Sequence, residues 1–239
     1  MKAAGNLKIP TILIGNFTWY DIYSHFPEAK NETHLIQSLA EEYSHSTLQI
    51  LPQCHLDNKI IHHKKEVGFI ANKGKNMRND LVSFLGKKAE KKILVFIYLG
   101  EHGTRKVNWS NLRNNKDCLF LTRDPIKHPD VHFIDDKFSY HDLIASSDIT
   151  LTKGGYSTLA TSFANHKPVI TCERDDFYEF EAVREYLQKR QIGIIVKSTP
   201  FKQGDWQEPI KEALKLTVKN KVPLNGEIEI AEIVQQMLS

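Results

Sequence analysis

The run LTKGGYSTLATSFANHKPVI, residues 151–170, holds the side chains and spacing best suited to chemistry. Gly154 and Gly155 let a backbone turn sharply and approach a bound group with no Cβ in the way. Tyr156, Ser157 and Thr158 then open a helix, whose N-terminal N–H groups and positive dipole end suit a diphosphate. The Ser157 and Thr158 hydroxyls can cap that helix or donate to an oxygen. Lys153 supplies a point charge just before the turn. The same spacing also fits a plain strand-turn-helix connection, since glycine pairs are common at such junctions, and Lys153 also reads as one of many surface lysines.

A second glycine turn, GEHGT, carries Gly100 and Gly103 after the apolar run ILVFIYL, with Glu101, His102 and Thr104 as its polar groups. It is either part of a phosphate site or an ordinary solvated turn, and a lone histidine there is weak evidence for acid chemistry. Near the start, Asn16, Phe17, Trp19, Tyr20, Asp21 and Tyr23 form a dense polar-aromatic segment. Aromatic faces bind sugars well, so Asn16 and Trp19 are functional candidates, with Asp21 a polar neighbour. Phe17 and Tyr23 are expected in a small hydrophobic core.

These residues need a sheet to position them. IPTILIGNF reads as a buried strand and TWYDIYSHF as a loop or short helix. Leu35, Ile36, Leu39, Ala40 and Tyr43 recur at helical spacing within 32–47, and LQILPQ is a short strand stopped by Pro52. The polar stretch 53–76 reads as a linker in which HHKKE is solvated and VGFI docks on either side. From Met77 the pattern is regular: a helix at 77–89, then strands at 93–99, 118–122, 131–134, 149–152, 168–171 and 193–196, with helices between most of them. Apolar strands alternating with helices predict an α/β fold with a doubly wound parallel sheet covered on both faces. Loops after Leu99, Ile134, Thr152 and Cys172 would then surround one crevice at the carboxyl ends of the strands. Further helices are expected at 204–220 and 226–238.

Three pieces carry a family resemblance: GNFTWYDIY, then LTKGGYSTLATSF with ERDDFYEFEAVREYL, then GDWQEPI with LNGEIEIAEIV. They resemble the GT-B glycosyltransferases, in the nucleotide-sugar-binding half shared by UDP-glycosyltransferases and the bacterial glucosaminyltransferase of peptidoglycan synthesis. The likeness to the glycosyltransferase-like N-terminal region of L-arabinokinases is closer still. The resemblance implies a Rossmann-like nucleotide-sugar domain at 66–239, with its last helix crossing back, preceded at 1–65 by a partial acceptor-side α/β domain. It places Gly100, Gly103, Lys153, Gly154, Gly155, Ser157 and Thr158 around the donor phosphates. It gives the nucleotide base to backbone groups at Phe133 and Ile134, although Phe133 is itself expected in the core. Arg174, Asp175 and Glu179 would meet the ribose or sugar, and Asn16, Trp19 and Asp21 would line the acceptor side. Two departures stand out: Ser157 replaces a glycine of many relatives, and Phe180 replaces a glutamine that often follows the acid at Glu179.

The resemblance also implies that Met1 falls inside the first half, after its leading strands, so no residue inherits the family's catalytic base and catalytic residues stay unassigned. The donor would be a nucleotide sugar, a UDP-sugar, with no other cofactor and no metal, and the helix N-terminus would stabilise the leaving diphosphate. An exposed sheet edge would be covered by a homodimer or a partner chain. A formal charge of +3 is too small to argue for nucleic acid, and no apolar run approaches the ~20 residues that span a bilayer. Three widely spaced cysteines read as reduced thiols of a cytoplasmic protein, and the 11 histidines show no metal spacing. Three functions remain open: a glycosyltransferase completed by an upstream segment or a partner, a regulatory or structural binding module on the same fold, and a nucleotide-sugar hydrolase.

Overall fold

Three short strands build the first sheet of this computed structural model, which describes residues 1–238; the side chains of Glu101 and His102 lie outside that description. β1 (Ile12–Ile14), β2 (Leu48–Pro52) and β3 (Lys64–Val67) pair in parallel in that order; α1 (Lys2–Asn6) precedes β1, and α2 (Trp19–His25) and α3 (Thr33–Ser44) both lie between β1 and β2. β2 is central and buried throughout. The expected linker therefore contains a strand. Lys65 and Glu66 keep their side chains in water while their backbones pair with Ile50 and Leu51, and Val67 is buried beside Pro52. A polar edge strand of this kind carries no apolar run to announce it.

The regular pattern becomes a six-stranded, all-parallel sheet of order β6-β5-β4-β7-β8-β9. Its strands are β4 (Ile93–Tyr98), β5 (Cys118–Thr122), β6 (Val131–Phe133), β7 (Ile149–Thr152), β8 (Val169–Cys172) and β9 (Gly193–Val196). The helices are α4 (Arg78–Leu85), α5 (Glu101–Thr104), α6 (Tyr140–Ser146), α7 (Tyr156–Ala164), α8 (Glu179–Arg190), α9 (Ser198–Lys202), α10 (Gln207–Ala213) and α11 (Gly226–Leu238). Val95, Ile97, Leu151 and Ile170 bury one sheet face against Phe201, Trp206 and Ile210. Leu94, Phe96 and Leu121 bury the other against Leu81, Leu143 and Ile144. Both faces being covered explains why these strands are apolar on consecutive residues.

The chain forms two compact units that interleave in sequence. The first comprises residues 1–70, 175–186 and 223–239, and the second 71–174 and 187–222. Within the first unit, Ile230 and Ile233 of α11 pack on Leu48, Ile50 and Val67, and the Glu229 carboxylate accepts the Gly68 N–H at 2.6 Å. The change between units falls within α8, whose residues to Tyr186 belong to the first and from Leu187 to the second.

Candidate functional site

The second unit gathers polar groups at the carboxyl ends of β4, β5 and β7. After Thr152, Gly154 takes a left-handed conformation (φ +84°), which side chains resist. Gly155 is the N-cap of α7 and brings no side chain to the first turn. A Cβ built on Gly155 would meet only Lys153 Cε, 3.9 Å away, so the turn has open space above it. Ser157 is exposed, whereas Thr158 is buried with its hydroxyl accepting the Tyr140 O–H at 2.7 Å. Burial, above all, pushes the Tyr140 phenol well above its usual range. Thr158 therefore helps join α7 to α6, and Ser157 is the hydroxyl that faces outward.

The neighbouring loop is tied down by a residue that the sequence reading passed over. Asp124, 5% exposed, accepts the Leu99 N–H at 2.7 Å and the Gly100 N–H at 3.0 Å, both on Oδ2. Its own N–H donates to Thr122 Oγ1 at 2.9 Å. Burial raises the Asp124 carboxyl, against the pull of those two amides and of Lys153. Gly100 is left-handed (φ +72°), and a Cβ built there would lie 3.7 Å from Lys153 Nζ. Gly100, Lys153, Gly154 and Gly155 are thus neighbours. Gly103 closes the short α5 turn instead, its N–H donating to the Gly100 carbonyl at 3.0 Å. A signal for Asp124 existed in sequence: an acid two residues after the apolar strand CLFLT, at the carboxyl end of the sheet.

Ile134 is fully buried and its N–H donates to the Thr122 carbonyl at 2.9 Å, so only its backbone could serve a base. The core placement of Phe133 is overturned. It is 57% exposed, because it ends the edge strand β6, which has a neighbour on one side only. Arg174 is half-buried in the second unit, while Asp175 and Glu179 belong to the first.

In the first unit, Asn16 and Glu179 meet although 163 positions separate them: Asn16 Nδ2 donates to Glu179 Oε1 at 2.7 Å. Glu179 is buried, and Asp175 is exposed with Arg184 4.0 Å away. Phe17 stands edge-on to Trp19 and Phe177, each at 5.7 Å, and packs on Ile22, Leu56 and Ala182 as a core residue should. Tyr23 departs from the expected core. It is 43% exposed and stacks on Trp19 at 5.5 Å, so two aromatic rings share a partly solvated surface.

Asp21 also departs from its expected cleft role. It is buried at the third position of α2, where it forms a reciprocal capping box with Thr18. Its Oδ2 accepts from the Thr18 N–H, the Thr18 hydroxyl and Asn58 Nδ2, which leaves it a structural acid. Among the described residues, no three His, Cys, Asp or Glu side chains come together as a metal site. Nor is any helix there long and apolar enough to cross a membrane.

Parallel sheets with flanking helices and a glycine turn opening α7 give the chain the fold of the GT-B glycosyltransferases. A calicheamicin glycosyltransferase is 12% identical, with 99% of this chain and 70% of that one covered at a TM-score of 0.63. A spinosyn rhamnosyltransferase solved with thymidine diphosphate is 13% identical, covering 100% of this chain and 70% of that one at 0.63. A protein of Arabidopsis thaliana solved with quercetin is 11% identical, covering 99% and 68% at 0.61. In sequence, the chain is similar to L-arabinokinase of Arabidopsis thaliana, 23% identical over 98% of this chain, which spans 23% of that protein's length. No family model matches.

Proposed function

We propose that the chain binds a nucleotide sugar and acts as a glycosyltransferase-like protein, with the diphosphate on the Gly154–Gly155 turn. The observation that carries this reading is the uncapped, open N-terminus of α7 with Lys153 beside it. Gly155 to Thr158 would face the diphosphate, Lys153 would pair with it, and Ser157 would donate to one of its oxygens. Charge developing on a leaving diphosphate would be stabilised there with no proton transfer from the protein. A UDP-sugar is the donor we favour. In the first unit taken by itself, the Asn16–Glu179 pair and the Trp19–Tyr23 surface are candidates for carbohydrate hydroxyls and ring faces. β1 and β3 each pair on one side only, which is where a second copy or a partner chain would add strands. Three cysteines that form no disulfide among the described residues fit a cytoplasmic setting.

Gly155→Asp tests this reading cleanly. Gly155 has ordinary φ (−69°), and aspartate is a favoured N-cap, so the variant should keep its melting temperature or gain slightly. A carboxylate placed against the diphosphate should nevertheless lower nucleotide affinity at least a hundredfold. Unchanged binding by the folded variant would show that the turn does not hold the phosphates.

A further inference from the structure

A carboxylate beside a diphosphate site calls for a role of its own. Asp124 fixes the Gly100 turn through two amides on one oxygen, at 2.7 and 3.0 Å. Lys153 reaches the same turn from the end of β7, its Nζ 3.7 Å from where a Gly100 Cβ would stand. Tyr140 of α6 is raised first by burial and further by the Asp124 charge, so that phenol stays neutral. Tyr98 of β4 stands edge-on to Tyr140 at 4.9 Å. The Asp124 carboxylate, held by two amides, and the Lys153 ammonium thus share the Gly100 turn. A buried carboxylate is screened less than an exposed one, and Lys153 acts on it electrostatically.

We propose that Asp124 positions the donor site and selects for ligand charge. It holds the Gly100 turn, keeps Lys153 on it, and offsets part of the attraction that Lys153 offers an anion. This rests on the diphosphate reading of residues 153–158. A sugar ester of a nucleoside diphosphate carries one negative charge on each phosphate. The free nucleoside diphosphate carries nearly one more at neutral pH, because a terminal phosphate loses its second proton near pH 6. The extra charge meets the Asp124 carboxylate, so the site favours the donor over the leaving nucleotide and eases its release.

The test is calorimetric titration of the full chain with UDP and UDP-glucose, and with GDP and GDP-mannose, at low salt. It is run on the unaltered protein, Asp124→Asn and Lys153→Gln. Asparagine keeps an oxygen for both amides and removes the charge. Asp124→Asn should therefore bind the free diphosphate about tenfold more tightly while changing affinity for the sugar ester only a fewfold. Lys153→Gln should shift the ratio the opposite way, losing the free diphosphate more than the ester. Lowering the pH should move the unaltered protein's ratio toward that of Asp124→Asn as Asp124 takes up a proton, the variant reporting the ligand's own titration. Unchanged ratios in both variants would overturn the charge-selecting role and leave the diphosphate reading standing. An unaltered chain that binds none of the four nucleotides would overturn the diphosphate reading, and this inference with it.

Discussion

Asn58 makes four hydrogen bonds from a fully buried side chain. Nδ2 donates to Thr18 Oγ1 at 3.0 Å and Asp21 Oδ2 at 3.2 Å, and Oδ1 accepts from the N–H groups of Ile60 and Ile61 at 2.7 and 3.1 Å. Asn58→Ala would strand several buried polar groups, so we expect about 3 kcal/mol of lost stability in denaturant unfolding. Cys54, buried, and Cys118, half-buried, give a second expectation at this scale. Burial pushes Cys54 up to about 12 and Cys118 to about 11, so neither is a nucleophile near neutrality. Both should react slowly with thiol reagents at pH 8 until the protein is unfolded. Because their folded values are raised, their contribution to stability is intact below the ordinary value of 9 and falls as pH rises toward 12. Individual residues were the least legible part of the sequence. Glycine turns announce themselves by composition, so Gly100, Gly154 and Gly155 were readable. Asp124, Asp21 and Asn58 owe their roles to partners brought by folding, and a lone polar residue in a loop has no periodicity to reveal them.

Elements were legible where burial on both faces forces consecutive apolar residues, as in β4, β7 and β8. The polar edge strand β3 was not, because its pairing is carried by the backbone. Joints between elements were equally silent. Arg78 Nη1 lies 3.0 Å from both Asp148 carboxylate oxygens, and Nη2 donates to the Lys92 carbonyl at 3.1 Å. Asp148 in turn accepts the Leu94 N–H at 2.8 Å, so this pair fixes the start of α4 to β4 and β7. Arg78→Ala should reduce stability by about 1–3 kcal/mol, read as a lower midpoint in urea. At the start of α11 a Cβ on Gly226 would fall 2.2 Å from the Gly68 carbonyl oxygen. Backbone cannot yield as a flexible side chain does, so Gly226→Ala should loosen α11 from the first sheet. Faster amide exchange there and in β2 and β3 would report it.

At the scale of the whole molecule, residues 1–70 join 175–186 and 223–239, while 71–174 join 187–222. The sequence suggests one boundary, at residues 65/66, with a returning last helix. It contains no sign of the passage through 175–186, because α8 runs on without a glycine, a proline or a change in composition. That passage puts Glu179 in the unit that holds Asn16, while the Gly154–Gly155 turn belongs to the other. The most direct measurement of the central claim is calorimetric titration of the unaltered chain with UDP, GDP and their common sugar conjugates. The account predicts saturable binding of one nucleotide family, abolished in Gly155→Asp at an unchanged melting temperature. Failure of every one of these ligands to bind the folded chain would contradict it.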